Sequence, residues 1–186
     1  MNKQKETLKY FKTRVKKLPY HECFLNEQGL DRGLVNVFIS KKQASGNYVF
    51  TLFLVDIYCL GVKNVLLNFN LSDIDYDDFL GKLFQSDEYI SCDLADAHNI
   101  IYGAIDYAEE LGFKPHKDFA IAEHILDADL IDDGIDEIEF GNNGKPLFVA
   151  GPYDNVNRII AVLERNVGEG NYDYVIEAGA LDYESR

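Results

Sequence analysis

The run VFTLFLVDIYCLGVKNVLLNF, residues 49–69, decides the fold, because its apolar residues are dense enough to force burial on both faces. Within it lie one acid, Asp56, and one thiol, Cys59. Just upstream, LVNVFISKK (34–42) alternates, with Val35, Val37 and Ile39 on one side and Asn36, Phe38 and Ser40 on the other. Ala44-Ser45-Gly46-Asn47 separates the two runs with turn residues, which predicts a β-hairpin. Gly61 is expected to end or bulge the second strand, and Val62 to Asn70 to form a third.

Helical spacing takes over downstream. Ser72 followed three residues later by Asp75 has the form of a capping box, and Asp73, Asp75, Asp77 and Asp78 suit the positive end of a helix dipole. Leu94, Ala97, Ile101, Ala104, Ala108 and Leu111 make a core stripe, with Asp93 as N-cap and Gly112-Phe113 as a Schellman stop. The small residues Ala97, Gly103 and Ala104 would admit a close neighbour. A second helix starting near Pro115 and burying Phe119, Ala122 and Leu126 would complete a helical hairpin.

Residues 127–139, DADLIDDGIDEIE, hold seven acids, yet a calcium loop counted from Asp129 puts Ile131 at its third position and Phe140 at its twelfth. A polar connector leading into a strand near 135–140 is expected instead. Gly141-Asn142-Asn143-Gly144 then reads as a hairpin turn with Pro146 to Val149 returning, and Asp154 as the cap of a helix carrying Val156, Ile159, Ile160 and Leu163. YDYVIEAG offers a short edge strand, and residues 178–186 read as a loose tail.

Charge is unevenly placed. The chain carries −14 overall, but residues 1–17 hold seven basic residues against Glu6, a local +6, which leaves 11 basic against 31 acidic residues, or −20, on the remainder. Leu8, Phe11, Val15 and Leu18 form one stripe of this basic segment, so residues 1–18 are expected to be an amphipathic helix, ended by Pro19. The acidic body opposes nucleic acid and anionic membrane, leaving the N-terminal helix as the one part suited to a phosphate backbone. No uncharged apolar run reaches 18 residues and the first 17 are too charged for a signal-peptide core, so a cytoplasmic location is expected. Three cysteines without a CxxC pair argue for reduced thiols rather than a disulfide framework.

Asp56 is the most informative polar residue, since a carboxylate in an apolar strand must be hydrogen-bonded, paired or protonated. Backbone amides or Lys63 would satisfy it structurally. A strand aspartate could equally hold a divalent metal, Mg²⁺ or Zn²⁺, with Asp96, His98 and Asp118 as further ligand candidates. Catalytic candidates are then Asp56, Cys59, His98 and His116, where Cys59 would need a neighbouring histidine to act as nucleophile. His21 and Cys23 have spacing for two metal ligands, with Cys59 or Cys92 as a third. No GxxxxGK[ST], strand-linked GxGxxG, GxSxG or HExxH motif is present.

Four stretches, LPYHECFLNEQGL (18–30), FLVDIYCLGVKN (53–64), DAHNIIYGAIDYAEELGFKPHKDF (96–119) and FGNNGKPLFVAGPYD (140–154), together resemble a bacterial family of uncharacterised proteins. In that family LVD-x-x-CLGVK and LGF-x-PH-x-DF elements recur, sometimes beside a small metal-binding SEC-C module, which this chain lacks. The resemblance brings no activity with it. It points to Cys23, Asp56, Cys59, Lys63, His98, Gly112, Pro115, His116 and Asp118 as the positions that match the pattern.

The expected architecture is a single α+β domain over residues 1–186, with a largely antiparallel sheet made of three N-terminal strands and a C-terminal hairpin, covered by the helical hairpin and terminal helices. Two functions fit it. One is a noncatalytic cytoplasmic protein-binding module with an acidic surface, whose partner is another protein or a second copy of the chain. The alternative is a metal-dependent hydrolase or nuclease centred on Asp56.

Overall fold

The computed structural model describes Lys9, residues 12–126 and residues 138–176. In chain order the strands are β1 (Tyr20–Asn26), β2 (Leu34–Lys42), β3 (Tyr48–Asp56), β4 (Gly61–Leu71), β5 (Tyr89–Ser91), β6 (Leu147–Val149) and β7 (Asp173–Val175). The helices are α1 (Gly29–Arg32), α2 (Asp73–Ser86), α3 (Leu94–Glu110), α4 (Phe119–Ala122) and α5 (Val156–Asn166). The fold is α+β. Five strands form one sheet in the order β4-β3-β2-β1-β5, with every neighbouring pair antiparallel.

The apolar run supplies β3, most of β4 and the connection between them. Because β2 and β3 are central, their two sets of alternating side chains are both covered. Val35, Val37, Ile39, Val49, Phe53 and Val55 pack with Ala97, Ile101 and Ala104 of α3. On the other face Phe38, Tyr48 and Phe50 meet Tyr76, Phe79 and Leu83 of α2. This second layer is largely aromatic: Tyr48 stacks on Tyr76 at 3.9 Å, and the Tyr76 hydroxyl lies 2.6 Å from Glu22 Oε2 and 2.7 Å from Ser40 Oγ.

The expected cover differs from the observed one. A helix stands on each face of the sheet, and the residues after Pro115 form only the single turn of α4 and a 3₁₀ turn, Glu123–Ile125, so no two-helix hairpin is built. Phe119, Ala122, Ile125 and Leu126 do reach the core. The sheet also gains β1 and β5, which sequence periodicity did not expose because β1 is interrupted by a register shift between Tyr20 and Glu22 and β5 is three residues long.

Local punctuation follows the expected chemistry at the start of α2 and the end of α3, whereas Asp93 stands at the N-cap of α3 with no side-chain capping bond. Ser72 caps α2 by accepting from the Asp75 amide, and Gly112, at φ 94°, ends α3 with the two Schellman bonds, Phe113 N to Ala108 O and Gly112 N to Glu109 O. Asn143 and Gly144 both take positive φ in a tight turn. The strand that follows is not the return arm of a hairpin, however. β6 pairs in parallel with β7, so the C-terminal segment forms its own two-stranded ribbon instead of extending the main sheet. The predicted strand near 135–140 falls largely outside the described residues, and 138–140 are not strand.

At the N-terminal end, Val15–Lys17 make a 3₁₀ turn with Val15 fully buried. The Lys41 ammonium, also buried, donates to the Val15 and Lys16 carbonyls and lies 4.1 Å from the centroid of the Tyr20 ring. The part of the amphipathic stripe that is described, Val15 and Leu18, therefore packs on its own domain. Leu8 and Phe11, like the tail 178–186, lie outside the described residues.

Helix α3 crosses β4 at its first residue. A Cβ on Gly61, which has φ 66°, would lie 2.9 Å from both Ala104 O and Ala108 Cβ, whereas a Cβ on Gly46, at φ 92°, would meet nothing within 4 Å. Gly61→Ala should thus cost roughly 2–4 kcal/mol, strain plus a displaced helix, and Gly46→Ala about 1 kcal/mol from strain alone. Urea unfolding of the two variants measures the difference; equal losses would show that the α3–β4 approach is not tight.

Candidate functional site

The connection Ile57 to Leu60 between β3 and β4 is where the two halves of the chain meet. Asp56, 6% exposed, turns its Oδ1 back to accept from the amides of Tyr58 at 3.0 Å and Cys59 at 2.9 Å. The Ile57 and Tyr58 carbonyls then accept from Gly141 N and Leu147 N of the C-terminal segment. Cys59 and Leu60 enter a second core with Leu111, Phe148, Val156, Leu163 and Tyr172. The polar residue that the sequence left unexplained is a turn-forming carboxylate.

Burial pushes the Asp56 carboxyl up from 3.8 to about 6, against the opposing pull of Lys63 and the turn amides. Burial, then the Asp56 charge, also raises the Cys59 thiol well above its ordinary range, so Cys59 sits as a neutral thiol in an apolar core. A nucleophile needs the opposite environment.

The other candidates are dispersed. His98 is fully buried on α3 with its ring 5.7 Å from that of Tyr102. Asp96 stands in the first turn of α3, near Cys23, whose thiol is raised by its hydrogen bond with Cys92 and by burial, with the Asp96 charge adding to them. His116 is anchored by its amide to Val62 O at 2.8 Å, and its Nδ1 lies 3.8 Å from Asp118 Oδ2. His21 makes tilted ring contacts with Tyr48 and Tyr76 at the α2 face, while Cys23 faces the α3 core, so their sequence spacing does not make a ligand pair. Among the described residues no three His, Cys, Asp or Glu side chains gather as a metal set. Asp56 lines a cleft of about 370 Å³ with Asn26, Asn36 and Asp87; His116 lines another.

That other cleft, about 620 Å³, lies between the start of β4, the end of α3 and the first turns of α5. Its walls are apolar, from Leu60, Val62, Phe113, Ile159 and Val162. Its polar groups are mainly cationic: Lys63, Lys114 and Arg158, with His116 beside them, against one carboxylate, Asp154. Asp154 was expected to cap α5, but Asn155 does so, accepting from Arg158 N at 2.9 Å. Asp154 Oδ2 instead accepts from Lys63 Nζ at 2.6 Å and from Gly151 N at 2.9 Å, which fastens the turn before α5 to β4. Lys114 and Arg158 face the cleft without a carboxylate partner in its walls, and Tyr153, 98% exposed, stands on its rim.

Sequence reasoning singled out Lys63 and His116 but missed Lys114, Tyr153 and Arg158. The latter come from segments whose nearness depends on α5 docking against the α3 stop, where Asn166 Nδ2 donates to Leu111 O at 2.9 Å. No helix among the described residues is long and apolar enough to cross a membrane. Comparison of the chain with protein-family models, with curated proteins and with solved structures found no match.

The Asp56 carboxyl has a testable signature. The folded state holds this proton up to about pH 6, whereas the unfolded chain releases it near 3.8, so the folded state binds more protons between the two. Its contribution to stability is complete below 3.8 and is lost as pH rises through 6. Asp56→Asn keeps a carbonyl acceptor for the two amides and removes the charge. Its stability relative to the unsubstituted protein should rise by roughly 2–3 kcal/mol between pH 4 and pH 7.5 in urea titrations; a difference that stays flat with pH would contradict a buried, proton-retaining Asp56.

Proposed function

We propose that the chain is a noncatalytic binding protein, and that the cleft between β4, α3 and α5 receives an acidic segment of a partner protein carrying carboxylates beside an apolar side chain. The observation that carries this is electrostatic. In a chain of net charge −14, three cations and a histidine line one apolar cleft opposed by a single carboxylate, itself engaged by Lys63. Such a concentration of cations costs repulsion that an anionic partner relieves, and the surrounding negative surface disfavours partners that lack a matching register. The apolar walls and the exposed Tyr153 ring supply the area on which such a segment would anchor.

A second line of support is positional. Three of the four stretches that resemble the bacterial family contribute to these walls: Leu60, Val62 and Lys63 from the first, Gly112, Phe113, Lys114 and His116 from the next, and Tyr153 and Asp154 from the last. The candidates for a hydrolytic centre, by contrast, are spread out: Asp56 and His116 line different clefts, Cys59 sits in the second core and His98 is buried on α3. A binding role uses the residues that the fold gathers.

Fluorescein-labelled peptides that alternate Glu with Leu, with Lys–Leu and Gln–Leu counterparts, test the proposal by polarisation. The acidic peptide should bind most tightly, more weakly as salt rises, and at least about tenfold less tightly to a Lys114→Glu/Arg158→Glu variant. Equal binding of all three peptides, or indifference to the double charge reversal, would sink it. Free phosphate or acetate that saturates the cleft and excludes the peptide would show a small-anion site in place of a protein-docking one.

A further inference from the structure

The edge formed by β1 and β5 carries a feature independent of the cationic cleft. Phe24 pairs with Ser91, which places Cys23 directly opposite Cys92 in the antiparallel register, and the Cys92 amide donates to the Cys23 carbonyl at 3.1 Å. Both cysteines are free thiols, and their Sγ atoms are 3.1 Å apart. Residues opposed in an antiparallel pair have Cα atoms roughly 4.5–5.5 Å apart, inside the range a disulfide spans. Closing the bond requires the sulfurs to approach by about 1 Å, a side-chain adjustment rather than a backbone one.

We propose that Cys23 and Cys92 are a peroxide-oxidisable pair that closes to a reversible intramolecular disulfide. Access is asymmetric. Cys23 is buried and Cys92 partly exposed, and both line an open cleft of about 410 Å³ together with Glu22, Ser91 and Asp93. The acidic rim disfavours anionic oxidants such as glutathione disulfide, and hydrogen peroxide is neutral and small enough to enter. Cys92 gives its proton to solvent and attacks one peroxide oxygen as the thiolate; the O–O bond breaks, the departing hydroxide takes up a proton and leaves as the first water, and a sulfenic acid remains. Cys23 Sγ then attacks that sulfur, the S–O bond breaks and the second water leaves with the remaining thiol proton. Two thiols lose two electrons, and one peroxide becomes two waters.

The consequence is mechanical. The bond would join β1 of the main sheet to the residue between β5 and α3, closing a loop from residue 23 to residue 92 and fixing the shortest strand of the sheet. The shared hydrogen bond with Cys92 and burial hold the Cys23 thiol well above its usual range, with the charges of Asp96 and Asp93 adding to this. Cys23 therefore rests as a neutral thiol. Cys59, fully buried in the second core, takes no part.

The test uses the folded, reduced protein treated with hydrogen peroxide, then denatured, alkylated and analysed as intact and protease-digested protein by mass spectrometry. The expected product is lighter by two hydrogens, contains a Cys23–Cys92 linked peptide, has Cys59 alkylated and reverts with dithiothreitol. It should also melt about 5–15 °C higher than the reduced protein. Cys59→Ser should behave in the same way, and Cys92→Ser should give no intramolecular bond. Over-oxidation of Cys92 to a sulfinic acid without closure, disulfide-linked dimers, or no loss of thiols at all would each overturn the proposal.

Discussion

Two hydrogen bonds from the Tyr58 and Cys59 amides to the Asp56 carboxylate set the shape of the β3–β4 connection, and the segment from Gly141 to Leu147 is hung on that connection. With the turn held, the Ile57 and Tyr58 carbonyls point outward to accept from Gly141 and Leu147, while Cys59 and Leu60 point inward as the nucleus of the second core. The carboxyl is poorly solvated, which raises its proton affinity, and the amides partly offset that cost. A residue that resembles a catalytic acid in sequence is thus occupied in joining the sheet to α5.

The docked C-terminal segment creates the cationic cleft. Lys63 reaches across to Asp154, Asn166 closes the end of α3, and the helix between them carries Arg158 toward Lys114. None of these charges is unusual alone. Their convergence on apolar walls, within a strongly acidic chain, is what the proposed anionic partner rests on. The thiol pair lies toward the opposite edge of the sheet, Cys23 on β1 and Cys92 just past β5, and is separate from this cleft.

Much of the local structure was legible. Alternation placed β2, β3 and most of β4, turn chemistry placed the Ala44–Asn47 hairpin, and the capping-box and Schellman patterns placed the ends of α2 and α3 to within a residue. The site was legible only in fragments: Lys63 and His116 stood in the stretches resembling a known family, but Lys114, Tyr153 and Arg158 carry no local signature. Asp154 had one and it misled, because a helix-start aspartate suits a cap as well as it suits the lysine that tertiary contact brings to it.

What the sequence by itself determined is therefore β2, β3, most of β4 and the longer helices, without β1 and β5, and the need to bury both faces of the central strands, since these follow from near-neighbour periodicity and from turn residues. Only the tertiary structure decided that α2 and α3 cover opposite faces, that β6 pairs in parallel with β7 rather than closing a hairpin, and that Cys23 faces Cys92. These outcomes depend on contacts between residues far apart in the chain, chosen by competition among packings of similar local propensity. No pattern within a few residues encodes that choice.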